Sequence, residues 1–121
     1  MKNDNVYIEN IFDSIQKIEE FVKGASKIDF QNNRMMQSAT ILQLGLIGEE
    51  ANKISEETKS KINLAWKEIA GFRNMVFHEY MNLELDIVWD TICEDIPILK
   101  KELQKPSDSA KAPPDKPEEN K

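Results

Sequence analysis

The sequence predicts an all-α protein, an antiparallel up-down bundle of four to five helices followed by a disordered tail, on three observations. No proline precedes Pro97, so most of the chain is free of the strongest helix breaker. Large apolar residues recur at intervals of three and four rather than two, the period of a helix face. After Gln104 the large apolar residues stop, which divides the chain into a folded domain, residues 1–104, and a tail, residues 105–121.

The first helix is expected from about Asp4 to Lys23. Ile8, Ile11, Ile15, Ile18 and Val22 fall on one stripe, Asn3, Asp4 or Asn5 is placed to cap its first amides, and Gly24 is placed to stop it. The second is expected from about Asn32 to Ser55. Ile41, Leu42, Leu44, Leu46 and Ile47 surround its middle, which should therefore be buried. Gly45 and Gly48 lie inside it at a propensity cost of about 1 kcal/mol each. Small residues three apart would let another helix approach closely.

A polar link, Glu56 to Lys61, should lead to a third helix that starts between Ile62 and Ala65 and continues toward Tyr80. Trp66, Ile69, Phe72 and Val76 form its core stripe. The fourth is expected from about Leu83, capped by Asn82, to Gln104, with Val88, Ile92, Ile96, Leu99 and Leu103 inside. Pro97 should bend it or begin a separate final piece. The tail mixes prolines with four basic and four acidic residues, a composition that cannot bury a core.

The chain carries 16 basic and 22 acidic side chains, a formal charge of -6. Such a balance argues against a general nucleic-acid or membrane binder, because counterion release needs clustered Lys and Arg. No apolar run approaches the length of a membrane span, and no targeting segment is visible. The single cysteine, Cys93, excludes an intrachain disulfide and fits a reducing cytoplasm; it reads as a small core residue. One histidine and one cysteine in different helices make no recognised metal-ligand spacing. Glu49 and Glu50 read as solvated or capping carboxylates. No phosphate loop or dinucleotide fingerprint occurs, and no cofactor is expected.

Chemistry concentrates in Arg73-Asn74-Met75-Val76-Phe77-His78-Glu79-Tyr80, which holds the only histidine. An imidazole moves protons near neutral pH, and a guanidinium holds developing charge on phosphate oxygens. RNA brings its own nucleophile, the ribose 2'-hydroxyl, so this pair suffices without metal. On a regular helix Arg73 and Tyr80 are nearly eclipsed, whereas His78 is turned from Arg73 by about 140°. Arg73 must therefore reach around, the helix must end near His78, or two protomers must meet. Spacing alone favours a capping or surface histidine over a catalytic one.

The same residues resemble the Arg-x-x-x-x-His-x-Tyr motif of HepT-type toxins, within the HEPN superfamily of helical ribonucleases. Ile47-Gly48-Glu49-Glu50-Ala51 is similar to the family's second-helix signature, and Trp66-Lys67-Glu68-Ile69-Ala70-Gly71-Phe72 to its lead-in to the motif. The similarity covers roughly residues 5 to 104. It implies a homodimer with the motifs in a shared cleft, and Arg73 and His78 as the catalytic pair of an endoribonuclease with transfer RNA among its substrates. It further implies Asn74 as a supporting polar residue. Tyr80 matches the tyrosine that a MntA-type nucleotidyltransferase antitoxin modifies with AMP, in a type VII toxin–antitoxin system. The alternatives are a catalytically silent helical module that binds a nucleotide or a nucleotidyltransferase, and a plain structural dimer.

Overall fold

A computed structural model describes residues 3–77 and 80–105, with only the backbone for Tyr80. The expected tail, beyond Lys105, lies outside the described residues. The described chain is a helical bundle with no strand.

Helix α1, Asp4–Val22, buries Ile11, Ile15 and Ile18, while Ile8 and Val22 pack at the margin of the core. Each fully buried aliphatic side chain contributes roughly 1.5–3 kcal/mol, so this stripe dominates the helix's docking. Asn3 takes the capping position but makes no side-chain cap bond. Asp4, expected as a possible cap, instead accepts from Ser55 N at 3.1 Å, Ser55 Oγ at 2.6 Å and Thr58 Oγ1 at 2.6 Å. That contact ties the start of α1 to the chain just beyond the third helix. The reversal at Gly24 has φ of 75°, the left-handed conformation that glycine adopts without a Cβ penalty.

The short helix α2, Lys27–Gln31, was not expected from periodicity, because five residues cannot show a helical repeat. Its signature is a capping box. Ser26 Oγ accepts from Asp29 N at 3.1 Å, and Ser26 N donates to Asp29 Oδ2 at 2.9 Å. The Ser26 backbone amide first, and then the Ser26 hydroxyl, hold the Asp29 carboxyl below its ordinary pKa. Phe30 is fully buried and meets the Trp89 ring with centroids 5.2 Å apart.

Helix α3, Arg34–Lys53, is the central element and packs on α1, α2 and the two helices of the motif region. Asn33 caps it through Met36 N. Asn10 Nδ2 donates to Glu50 at 3.1 Å, so α1 and α3 run antiparallel. Ile41, Leu44 and Ile47 are buried, as is Thr40, whose hydroxyl donates to Met36 O and Gln37 O. Burial on nearly all sides does not hold. Leu42 and Leu46 are 48% and 40% exposed, because among the described residues no other element covers that side of α3.

The expected polar link contains a one-turn helix, α4, Glu56–Lys59, capped by Ser55. The expected third helix is two short ones, α5, Trp66–Ala70, and α6, Arg73–Phe77. Between them the hydrogen bonds shorten to three residues: Phe72 N to Ile69 O, Asn74 N to Gly71 O and Met75 N to Phe72 O. Tyr80–Asn82 form a 3₁₀ turn, so Tyr80 itself is not in an α-helix. The near-eclipse of Arg73 and Tyr80 expected for one regular helix falls on the Tyr80 side chain, outside the described residues.

The last helical stretch comprises α7, Leu85–Asp90, a π segment, Thr91–Asp95, and α8, Ile96–Gln104. Glu84, not Asn82, occupies the capping position, without a side-chain cap bond. Pro97 lacks an N–H and its ring crowds the carbonyl four residues back. The preceding turn widens, with Ile96 N–H reaching Thr91 O, so the proline is absorbed without ending the helix. All five expected core residues here are buried. Cys93 is not: it is exposed, one position past the Val88–Ile92–Ile96 stripe. No described helix is long and apolar enough to cross a membrane.

Candidate functional site

Gly45 and Gly48 bring α6 onto α3. A Cβ on Gly45 would stand 2.5 Å from Val76 Cγ2, and one on Gly48 would stand 2.6 Å from Arg73 N and 2.9 Å from Ala70 O. The expectation that small residues permit a close approach is thus met, and the approaching backbone is that of Ala70 and Arg73. The break between α5 and α6 lies directly over Gly48. Val76 and Phe72 face the core, which leaves Arg73 and Asn74 on the outer side of the turn.

Arg73 is held by two contacts. Its Nε donates to Glu49 Oε1 at 2.7 Å, with the two side chains 45% and 38% exposed. Its guanidinium carbon lies 4.9 Å from the centre of the Phe77 ring, one turn on. Among the described residues neither terminal nitrogen of Arg73, the fork that would grip a phosphate, is engaged. Asn74 is exposed on the next position, and its side chain makes no hydrogen bond within the described residues.

Sequence reasoning missed Glu49, read there as solvated or capping. Its position directly after Gly48, the point of closest approach, was the available signal. Phe77 was equally legible, as the residue four after Arg73. Of the other expected site residues, His78 lies outside the described residues, as does the side chain of Tyr80.

An apolar strip on α3 leads to the Arg73–Glu49 pair. On the helix circle of α3, Met35, Leu42, Leu46 and Glu49 all fall within about 100° on one side of Gly45. Met35 is 82% exposed and Phe77 59%. The ion pair of Arg73 and Glu49 therefore sits at one end of an uncovered apolar strip. A second cleft, about 360 Å³, is lined by Leu64, Ile69, Phe72, Ile98 and Leu99 with the carboxylates of Glu68 and Asp95. Burial first, and then Asp90, raises the pKa of Asp95. Cys93 is shifted up by burial, then by the charges of Asp90 and Glu94.

Comparison with known proteins bears on this arrangement. A family model described as ribonuclease HepT-like matches residues 11–106. A protein of Caldanaerobacter subterraneus subsp. tengcongensis named "Putative RNase" is 35% identical over 105 residues, covering 86% of this chain and 94% of its own. The "Probable ribonuclease HepT" of Thermococcus cleftensis is 34% identical over 100 residues, covering 82% and 91%. A Methanocaldococcus jannaschii protein named "Gamma-glutamylcyclotransferase and putative RNase" is 33% identical over 105 residues, and this chain spans 47% of its length. No solved structure matches. The helical bundle, the motif that begins at Arg73 and these similarities agree: the chain belongs to the HepT-like ribonuclease family.

Proposed function

We propose that the protein is a metal-independent endoribonuclease that works as a homodimer, with Arg73 and His78 as its catalytic pair. The observation that carries this reading is Arg73 itself: an exposed guanidinium, fixed at Nε and over an aromatic ring, with its terminal fork unengaged among the described residues. Family membership supplies the chemistry that such a fork serves. The apolar strip of Met35, Leu42 and Leu46, ending beside Arg73 and Phe77, supports a twofold partner whose docking would build a shared cleft.

In this mechanism His78 of one protomer removes the 2'-hydroxyl proton of a ribose. The 2'-oxygen attacks the adjacent phosphorus while Arg73 stabilises the crowded oxygens. The bond from phosphorus to the 5'-oxygen breaks, and that oxygen takes a proton from the imidazolium of the second His78. The products are a 2',3'-cyclic phosphate and a 5'-hydroxyl. Asn74 supports the site as a polar neighbour. The acidic chain finds its RNA, with transfer RNA the expected class, through a local, dimer-built cleft rather than through overall charge.

The protein is proposed to act as the toxin of a type VII toxin–antitoxin pair. A MntA-type nucleotidyltransferase would transfer AMP to Tyr80, adding negative charge and bulk near the site and excluding substrate phosphate. Co-expression with such an enzyme should add mass in units of AMP, and Tyr80→Phe should abolish that gain.

The direct test is cleavage of RNA by the purified protein in the presence of a chelator. Removal of a positioned acid–base group or charge stabiliser costs about 10²-fold or more, so His78→Ala and Arg73→Ala should each fall at least that far. Parent-like cleavage by His78→Ala would refute the mechanism and favour a catalytically silent nucleotide- or partner-binding module.

A further inference from the structure

We infer that Glu49 is the positioning residue of Arg73, and this rests on the reading of Arg73 as a phosphate-binding catalytic group. A free arginine side chain samples many rotamers, and a transition state that needs its fork in one place must restrict them. Here the restriction is built in before substrate arrives. Glu49 Oε1 accepts the hydrogen bond from Nε–H at 2.7 Å, and the guanidinium carbon lies over the Phe77 ring, 4.9 Å from its centre. One contact fixes the edge of the guanidinium and the other its plane. Nε is the nitrogen that a two-pronged grip through Nη1 and Nη2 leaves spare, so the anchor and the substrate do not compete for the same protons.

The backbone carries the anchor with equal economy. Gly48 puts the amide of Arg73 against α3, and Glu49 is the next residue along. Its neighbour Glu50 is engaged elsewhere, accepting from Asn10 at 3.1 Å and from Lys53 at 3.4 Å. The two adjacent carboxylates thus have separate tasks, one in the site and one in the joint between α1 and α3. An ion pair this exposed adds little to stability, so its value lies in orientation.

The test compares Glu49→Ala, Glu49→Gln and Glu50→Ala. Glu49→Ala should lower kcat by about tenfold through loss of the anchor, and Glu49→Gln, which keeps an acceptor oxygen, should stay within about threefold of the parent. KM for RNA should fall or hold in both, because a negative charge beside the phosphate is gone. Glu50→Ala removes the same charge next door and should keep the parental kcat. A fold-wide defect would instead lower the melting temperature and kcat together.

A second readout needs no activity. Arg34 and Arg73 are the only arginines, so the proton–nitrogen spectrum holds two Nε–H signals. That of Arg73 should be shifted downfield and slow to exchange in the parent and in Glu50→Ala, and should lose both properties in Glu49→Ala. An unchanged Arg73 signal in Glu49→Ala, or a kcat equal to that of Glu50→Ala, overturns the inference. If the signal responds as described but Arg73→Ala cleaves RNA at the parental rate, the catalytic reading of Arg73 fails, and the positioning role with it, while the contact stands.

Discussion

Arg73 shows how much of a site resides in the neighbours of one side chain. Its Nε is committed to Glu49 and its guanidinium carbon lies over the Phe77 ring, while among the described residues its fork is left for a ligand. Cys93 shows the opposite case, an exposed group with no such preparation. Burial, then the charges of Asp90 and Glu94, raise its thiol pKa, and the thiolate is the reactive form. At a fixed mildly alkaline pH a smaller fraction is therefore ionised than in a free thiol, and alkylation should be slower. Asp90→Asn removes the carboxylate with the larger effect on the thiol and should speed iodoacetamide labelling at that pH, as read by intact mass. Labelling as fast as for a small free thiol would contradict this.

At the scale of elements, the joint between α3 and the α5–α6 pair is the part most sensitive to volume. Gly45→Ala meets a side-chain methyl, Val76 Cγ2, which can shift by side-chain rotation. Gly48→Ala meets backbone at Arg73 and Ala70, which does not. Overpacking costs about 1–3 kcal/mol, partly offset by about 1 kcal/mol of helix propensity. Gly48→Ala should therefore lose up to about 2 kcal/mol of stability, a fall in Tm of up to roughly 15 °C, and Gly45→Ala should lose clearly less. Thermal unfolding of the two variants decides it; equal losses would contradict the backbone contact.

The long helices were legible because their stripes are long. Ile11, Ile15 and Ile18 in α1, and Val88 through Leu103 near the C-terminus, are buried where the periodicity places them. The close approach at Gly45 and Gly48 was also readable. The elements that escaped are short or locally determined. Helix α2 depends on the pairing of Ser26 with Asp29, and the α5–α6 break on hydrogen bonds between residues three apart, over Gly48. Leu42 and Leu46 look like core residues by composition, and a single chain's sequence does not say whether their cover comes from within the chain or from a partner. Of the site, Arg73 and Asn74 emerge on the exposed side of the turn, and the Glu49 contact required the third dimension.

For the whole molecule, the exposed strip of Met35, Leu42 and Leu46 is the surface through which the proposed dimer would link assembly to activity. Placing a carboxylate there by Leu46→Glu should convert a dimer to monomers in sedimentation, with little loss of Tm, since the side chain is already 40% exposed in the single chain. RNA cleavage should fall with the dimer. A monomeric variant that cleaves at the parental rate would place the whole site in one chain.

The central claim, that Arg73 and His78 cleave RNA by 2'-hydroxyl attack without metal, is tested most directly by the mass of the new RNA termini. In excess chelator the parent should leave a 2',3'-cyclic phosphate and a 5'-hydroxyl, and His78→Ala should leave neither. A 3'-hydroxyl with a 5'-phosphate, or cleavage that stops when metal is removed, would contradict the account.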